Sequence, residues 1–153
     1  MDRIRGMSGI DIASCLRGVD NFNGAFAYDQ LPPLINEGYY IVNSATIASG
    51  GEHWLAMYIP SDRKTAEYFD SFAMKPSYYN RCIERVLFAN AERYTRNIKR
   101  LQAPGSSLCG QYCVLYCYLG SKHGFSLDDY MKVFGENYSR NDSIVEFWQK
   151  CPR

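Results

Sequence analysis

The sequence predicts an α+β fold in which a small antiparallel or mixed sheet packs against one buried helix. Three segments rich in aromatic and branched residues, at 39–43, 53–59 and 64–69, are separated by turns at 48–52 and 60–63, which is typical of an antiparallel meander. Residues 108–119 are almost wholly apolar or small, as in a helix that is buried on all sides. Strands followed by helices are the order typical of α+β folds.

The remaining segments predict flanking helices and one further strand. In chain order they are a helix from Ser8, with Asp11 completing its cap, to Gly18; an irregular stretch over 20–37; a helix from Pro76 to about Tyr94; a short strand over 95–101; a helix capped by Ser126; and a helix that begins near Asn141. Gly120 is predicted to end the buried helix, because glycine is common just beyond a last turn. No linker or repeat interrupts the pattern, so residues 1–153 are predicted to form a single domain.

Charge and hydropathy exclude several classes of protein. The net charge of +1 gives no strong field for nucleic acid or an anionic membrane, and no apolar run is long enough to span a bilayer. The first six residues, Met-Asp-Arg-Ile-Arg-Gly, contain no apolar signal core. We therefore expect an intracellular protein that is not secreted and has no membrane partner.

The six cysteines have the spacing of neither a disulfide framework nor a zinc site. Cys109, Cys113 and Cys117 follow each other at intervals of four on the buried helix, where residues of one face cannot easily bridge each other. The Cys-x-x-Cys pairs of a zinc site are missing, so no metal site is predicted. Cys113 and Cys117 are interpreted as small, buried apolar residues in a reducing compartment.

Cys109 is the first candidate for a chemical role. It opens the buried helix, where the positive end of the helix dipole favours a thiolate, and a glycine-containing loop precedes it. Taken alone, Cys109 fits a structural helix cysteine equally well. Its interpretation as a nucleophile therefore depends on a base, an acid and an oxyanion donor elsewhere in the chain.

A base and its orienting acid are predicted at one edge of the sheet. The chain has two histidines, and His123 follows the buried helix so closely that it cannot easily reach the start of that helix. His53 begins the second meander strand and Asp70 ends the third, so the two should lie side by side, with the carboxylate fixing the imidazole tautomer. A polar strand-end histidine and a turn aspartate are the alternatives for each residue alone.

Gln102 supplies the fourth part. It precedes the loop to Cys109, where its neutral amide can donate to a developing oxyanion together with the Cys109 backbone N–H. The alternative is an ordinary exposed glutamine. The ordered set of His53, Asp70, Gln102 and Cys109 predicts a thiol hydrolase, because a chance coincidence of all four is much rarer than that of any one.

Three motifs around these residues carry a family resemblance. They are Gly50-Gly-Glu-His53-Trp54, Tyr68-Phe-Asp70-Ser-Phe72 and Gln102-x-Pro-Gly-Ser-Ser-x-Cys109-Gly110. In order and spacing they resemble the adenovirus-type maturation proteases, the adenains, and more distantly the SUMO-protease branch of the same clan. The resemblance implies a cysteine-peptidase fold, with His53 as base, Asp70 as orienting acid, Gln102 as oxyanion donor and Cys109 as nucleophile. The adenovirus enzymes carry Glu at the position of Asp70.

The same resemblance implies a narrow substrate groove. Ser107 and Gly110 are small residues beside the nucleophile, and Trp54 is predicted to form one wall, although a half-buried strand aromatic has the same appearance in the sequence. Family members cut at small, glycine-containing sequences, so we expect glycine close to the scissile bond.

Activators are a further property that the resemblance raises. The adenovirus enzymes use DNA as a cofactor, and Arg93, Arg96, Lys99 and Arg100 could hold a phosphate backbone, but a solvated edge strand protected by its charges fits them better. The stretch 91–100 contains no cysteine, so the disulfide-tethered activator peptide of those enzymes is not expected. The sequence requires no cofactor and leaves a peptide or DNA activator open.

These observations together predict a thiol endopeptidase that cleaves glycine-containing sites in structural precursor proteins of a virus or a virus-like mobile element, in the host cell and in the virion. Two alternatives stay open at this point. One is a ubiquitin- or SUMO-like deconjugase, which shares the chemistry, and the other is a non-catalytic binding module that retains the fold. The identity of the substrate and the oligomeric state do not follow from the sequence.

Overall fold

A mixed sheet of five strands lies at the centre of the computed structural model, which describes residues 6–45 and 53–150. The strands are β1 (Phe22–Ala27), β2 (Gly38–Asn43), β3 (Trp54–Ile59), β4 (Thr65–Phe69) and β5 (Arg93–Arg96). Their order in the sheet follows the chain, with antiparallel inner pairs and parallel outer pairs. The predicted meander is confirmed as β2 to β4, while the turn predicted at 48–52 lies outside the described residues.

Six α-helices complete the described part of the chain, together with a 3-10 turn at Tyr28–Gln30. The helices are α1 (Gly9–Cys15), α2 (Pro76–Tyr79), α3 (Arg81–Asn90), α4 (Cys109–His123), α5 (Leu127–Met131) and α6 (Tyr138–Lys150). Ser8 and Ser126 form the predicted caps of α1 and α5. The α+β class is confirmed, and α6 begins before the predicted position near Asn141.

The sheet is covered on both faces, which produces three layers. On one face Ile41 and Phe69 belong to a core that includes Tyr116 of α4. On the other face Val42 belongs to a core that includes Leu87 of α3. Burial on both faces explains the nearly continuous apolar run of β3, which alternation of polar and apolar residues would otherwise interrupt.

The expectation of an irregular stretch over 20–37 is wrong for residues 22–27, which form β1. Asn23 and Gly24 are poor strand formers, and Gly24 has a φ of 132°. The strand forms because it pairs in parallel with β2, with an irregular register between Phe22 and Ala25. This pairing is a contact between distant parts of the chain, which local composition does not reveal.

The helix predicted across residues 76–94 is divided in two. Asn80 is extended, with φ −165° and ψ 157°, and ends α2. Its side chain then caps α3 by accepting a hydrogen bond from the Ile83 N–H at 3.1 Å. The following strand begins at Arg93 instead of residue 95.

The helix α4 is longer than predicted, because Gly120 lies inside it. The helix ends at His123, and Gly124, with a φ of 68°, takes the left-handed conformation that closes a helix. A Cβ at Gly120 would lie 2.6 Å from Cζ of Tyr39. The glycine is therefore selected by close packing of α4 on β2, not by the end of the helix.

Candidate active site

A cleft of about 620 Å³ opens where the segment before α1, the start of β3 and the start of α4 meet. Three of the four predicted chemical residues line it: His53, Gln102 and Cys109. Asp70, the fourth, is fully buried and contacts His53. The fold thus brings together all four residues that the sequence analysis selected.

The His53 and Asp70 side chains form an ion pair at one edge of the sheet. His53 precedes β3 and Asp70 follows β4, and the antiparallel pairing of the two strands brings both residues to the same end of the pair. His53 Nε2 donates to Asp70 Oδ1 at 2.7 Å. The carboxylate therefore fixes the imidazole and leaves Nδ1 to face the nucleophile.

Asp70 is held by more than its histidine. Its carboxylate also accepts hydrogen bonds from the Phe72 N–H at 2.9 Å, the Met74 N–H at 3.0 Å and the Tyr79 hydroxyl at 2.5 Å. Asn97 holds the main chain of Asp70 from both sides, accepting from its N–H at 3.0 Å and donating to its carbonyl at 2.7 Å. A carboxylate with this many donors cannot easily rotate, so it presents a fixed oxygen to the imidazole.

Aromatic rings stack on the imidazole of His53. The Phe72 ring lies 4.8 Å away between centroids, with an interplanar angle of 22°, and the Tyr79 ring lies 5.3 Å away at 28°. The Arg100 guanidinium lies 4.6 Å from the centroid of the Phe72 ring. The stacked rings restrict rotation of the imidazole and shield its ion pair from water.

Cys109 is the first residue of α4, close to the predicted position. Its Sγ accepts a hydrogen bond from the Trp54 N–H at 3.5 Å, and Cys109 interacts electrostatically with the His53 imidazole. The N-terminal end of α4 adds positive potential at the sulfur. Cys113 and Cys117 are fully buried on the same helix, and burial raises the pKa of both thiols well above the usual value. These two remain neutral thiols, in agreement with their predicted structural role.

Opposing effects set the pKa of His53. Burial lowers it, because a buried imidazolium loses its hydration. The hydrogen bond to Asp70 and the electrostatic interactions with Asp70 and Cys109 outweigh burial and raise the pKa of His53 to about 9. At neutral pH the ring is therefore an imidazolium, on the cleft wall that Cys109 also lines.

The stabilisation provided by the His53 charge is expected to disappear at alkaline pH. Because the native pKa of about 9 exceeds the unfolded value of about 6.5, this stabilisation is complete below the unfolded value and is lost as pH rises through the native one. Urea unfolding of the wild type and of His53→Gln should show a stability difference that shrinks from neutral to alkaline pH. A difference that grows toward alkaline pH would contradict the raised pKa.

The amide of Gln102 is fully buried and is oriented at both ends. Its Oε1 accepts from the Ser71 hydroxyl at 2.5 Å, and its Nε2 donates to the Ser106 carbonyl at 2.8 Å. Since a carbonyl can only accept, the NH₂ group must be at the Ser106 end. The second N–H has a longer contact, 3.2 Å, with Ser106 Oγ. The amide donors are thus directed at the loop that precedes Cys109.

The three predicted substrate-binding residues have different positions. Trp54 and Ser107 line the cleft, and the Trp54 indole is fixed by a hydrogen bond of 2.8 Å from Nε1 to the Met7 carbonyl. Gly110 is buried outside the cleft lining, and a Cβ there would lie 3.0 Å from Met7 Cβ and 3.3 Å from Trp54 Cδ1. This glycine makes room for the Trp54 wall, and its predicted contact with the substrate stays a prediction.

The four basic residues proposed for a phosphate backbone do not share one face. Arg93 and Arg96 lie three residues apart on β5, so they point to opposite sides of the sheet. Arg93 pairs with its neighbour Glu92 at 3.6 Å, while Arg96 and Arg100 each donate to a backbone carbonyl, at 3.4 Å and 2.9 Å. Lys99 is exposed. This placement fits a charged edge strand better than a binding surface for nucleic acid.

The sequence analysis missed the residues that hold the reacting groups. Ser71 and Phe72 directly follow Asp70 in the motif that ends at Phe72, so the sequence contains a local signal for these two residues. Tyr79 and Asn97 lie 9 and 27 positions beyond Asp70. No local pattern marks these two, because their contacts depend on how the chain turns between β4 and α4.

A thiol, an imidazole, a carboxylate and an amide at one cleft of an α+β fold are the parts of a cysteine peptidase, a hydrolase with a thiol nucleophile. Residues 28–132, more than half of the chain, match the family described as adenovirus endoprotease. The chain belongs to this family and is a cysteine peptidase. Its substrates are accordingly proteins.

A solved structure shares the fold of this chain. The ASFV pS273R protease has 17% sequence identity and a TM-score of 0.60, over 97% of this chain and 68% of that chain. ChlaDub1 from Chlamydia trachomatis has 16% identity and a TM-score of 0.48, over 74% of this chain and 58% of that chain. Among the described helices, none is both long and apolar enough to cross a membrane.

Proposed function

We propose that this peptidase is an endopeptidase of structural precursor proteins from a virus or virus-like element, acting in the host cell and in the virion. Cys109 is the nucleophile, His53 the base, Asp70 its orienting acid and Gln102 an oxyanion donor. The observation that carries the proposal is the His53–Asp70 pair, with His53 and Cys109 on the wall of the same open cleft.

The proposed reaction uses only side chains and backbone groups of this chain. The Cys109 thiolate attacks the scissile carbonyl, and the oxyanion accepts from the Cys109 N–H and from Gln102 Nε2. The contact with Ser106 Oγ at 3.2 Å is the longer of the two that Nε2 makes, so we assign its N–H to the oxyanion when substrate binds. Imidazolium His53 then protonates the leaving amine. Neutral His53 takes a proton from the water that attacks the thioester, and departure of the sulfur restores the starting pair of Cys109 thiolate and His53 imidazolium.

Glycine is the proposed residue near the cut. The fixed Trp54 indole narrows the approach to Cys109, and the exposed Ser107 lies on the cleft lining. Side chains larger than glycine would require these walls to move, which is costly in a packed site. A glycine preference alone does not separate a maturation protease from a ubiquitin-like deconjugase.

The relative rates at which peptides and fusions to folded ubiquitin or SUMO are cleaved distinguish a maturation protease from a deconjugase. We expect extended glycine-containing peptides to be cut nearly as fast as the same sequence inside a protein, because the proposed recognition is local. A deconjugase draws its binding energy from remote contacts with the folded modifier, so its peptides react far more slowly. The measurement is kcat/KM for a glycine-scanned peptide library and for matched ubiquitin and SUMO fusions. If the fusions are cleaved many orders of magnitude faster than the peptides, the proposal is wrong and the protein is a deconjugase.

A further inference from the structure

The backbone on both sides of Gln102 is held by the first turns of α6. Asn141 Nδ2 donates to the Leu101 carbonyl at 3.2 Å, and Asp142 Oδ1 accepts from the Ala103 N–H at 3.4 Å. Both residues lie beyond residue 132, where the match to the adenovirus endoprotease family ends. This contact therefore belongs to a part of the chain that the family comparison does not cover.

A buried tyrosine of the nucleophile helix joins the same contact. The Tyr112 hydroxyl donates to Asp142 Oδ1 at 2.6 Å and also lies 3.4 Å from the Leu101 carbonyl. Tyr112 is one turn from Cys109 along α4. The nucleophile helix, the Gln102 segment and α6 are thus joined by one hydrogen-bonded group, in which Tyr112 and Asn141 are almost completely buried.

We propose that Asp142 and Asn141 are positioning residues that set the location of the Gln102 amide relative to the Cys109 sulfur. The inference rests on the proposed function of Gln102 as an oxyanion donor. The Ser71 hydroxyl orients the Gln102 amide by donating to its Oε1. Helix α6 instead holds the backbone on both sides of Gln102 and so sets the position of the amide. Oxyanion stabilisation needs a donor at hydrogen-bond distance from the developing charge, so a small shift of this segment lowers the rate.

The expected effect is a loss of turnover without a loss of thiol reactivity. A misplacement of about 1 Å can cost about a hundredfold in rate, and we expect Asp142→Ala to lower kcat by about tenfold to a hundredfold with little change in KM. Alkylation of Cys109 by iodoacetamide forms no oxyanion, so its rate should stay within about twofold of the wild type. Asp142→Asn keeps an acceptor oxygen and should restore most of the turnover. Glu136→Ala, which removes an exposed carboxylate just before α6, is the matched control and should behave as the wild type.

The decisive experiment combines Asp142→Ala with Gln102→Ala and measures kcat, KM and alkylation for the single and double variants. We expect Asp142→Ala to have no further effect once Gln102 is alanine. An undiminished effect in that background, or a parallel loss of alkylation, would show that α6 supports the whole site and would overturn the inference. Full turnover in Gln102→Ala alone would instead refute the oxyanion role in the proposed function.

A second variant, Tyr112→Phe, tests the inference even if Asp142→Ala does not fold. Tyr112→Phe keeps the ring packing and removes only the hydroxyl that bonds Asp142. It should also lower kcat and spare alkylation, and it too should lose its effect in the Gln102→Ala background. Wild-type turnover in a folded Tyr112→Phe, together with wild-type turnover in a folded Asp142→Ala, would exclude the positioning role.

Discussion

Replacement of Cys109 by alanine is expected to abolish peptide hydrolysis while the protein stays folded. Loss of a nucleophile that acts together with its base typically lowers kcat by about 10⁶-fold. The substitution removes one sulfur atom at the wall of an open cleft, so thermal unfolding should change little. The measurement is turnover of a glycine-containing peptide, with the melting temperature followed by circular dichroism.

Cys113→Ala and Cys117→Ala are the matched controls for that variant. Both thiols are fully buried one and two turns further along α4 and stay protonated. We expect these variants to retain activity and to lose about 1 kcal/mol of stability from reduced packing. Substantial hydrolysis by Cys109→Ala, or loss of activity only in a control, would refute the nucleophile assignment.

The second large effect is expected at the base. His53→Ala should remove nearly all turnover, by a factor similar to that at the nucleophile, because the two act as a unit. His123 is exposed in the last turn of α4 beside the rings of Tyr118 and Phe125. His123→Ala should therefore leave kcat/KM unchanged, and a loss there equal to the His53→Ala loss would contradict the assignment.

Asp70→Asn extends this prediction to the acid. An amide in place of the carboxylate can hold the wrong tautomer of the imidazole, which costs about 10⁴-fold in kcat in a comparable triad. The amide NH₂ would also face one of the donors that now bond the Asp70 oxygens, such as the Tyr79 hydroxyl or the Met74 N–H. We therefore expect a loss of stability as well as of turnover, measured by urea unfolding and peptide hydrolysis.

The parts of the fold that the sequence predicted are those with a local signal. The meander follows from dense apolar strands and tight turns, and the capped helices follow from Ser8 and Ser126. The strand β1 has Asn23 and Gly24 within it and is specified by pairing with β2. Gly120 carries the signature of a helix end, yet its role is set by Tyr39 from another element. Both errors arise where tertiary contacts override local preference.

The candidate site also contains residues that the sequence predicted and residues that it did not. The reacting groups were predictable because each is a chemically distinctive residue at the edge of a regular element, and the meander itself places Asp70 beside His53. The groups that hold them are ordinary polar residues such as Asn97 and Asp142. Their bonds to Asp70 and Ala103 cross 27 and 39 positions of the chain. A single sequence contains no period or motif that reports contacts of this kind.

The close approach of α4 to β2 at Gly120 has a consequence for the reacting sulfur. Gly120 lies eleven residues from Cys109 along one continuous helix, a lever arm of about 16 Å at a rise of about 1.5 Å per residue. A side chain at position 120 would clash with the Tyr39 ring and displace the C-terminal end of α4 from the sheet. If the helix pivoted by about 5°, its far end would swing by roughly 1.4 Å over that arm. The close packing of Gly120 on Tyr39 near one end of α4 thus helps to set the distance between the Cys109 sulfur and the scissile carbonyl at the other end.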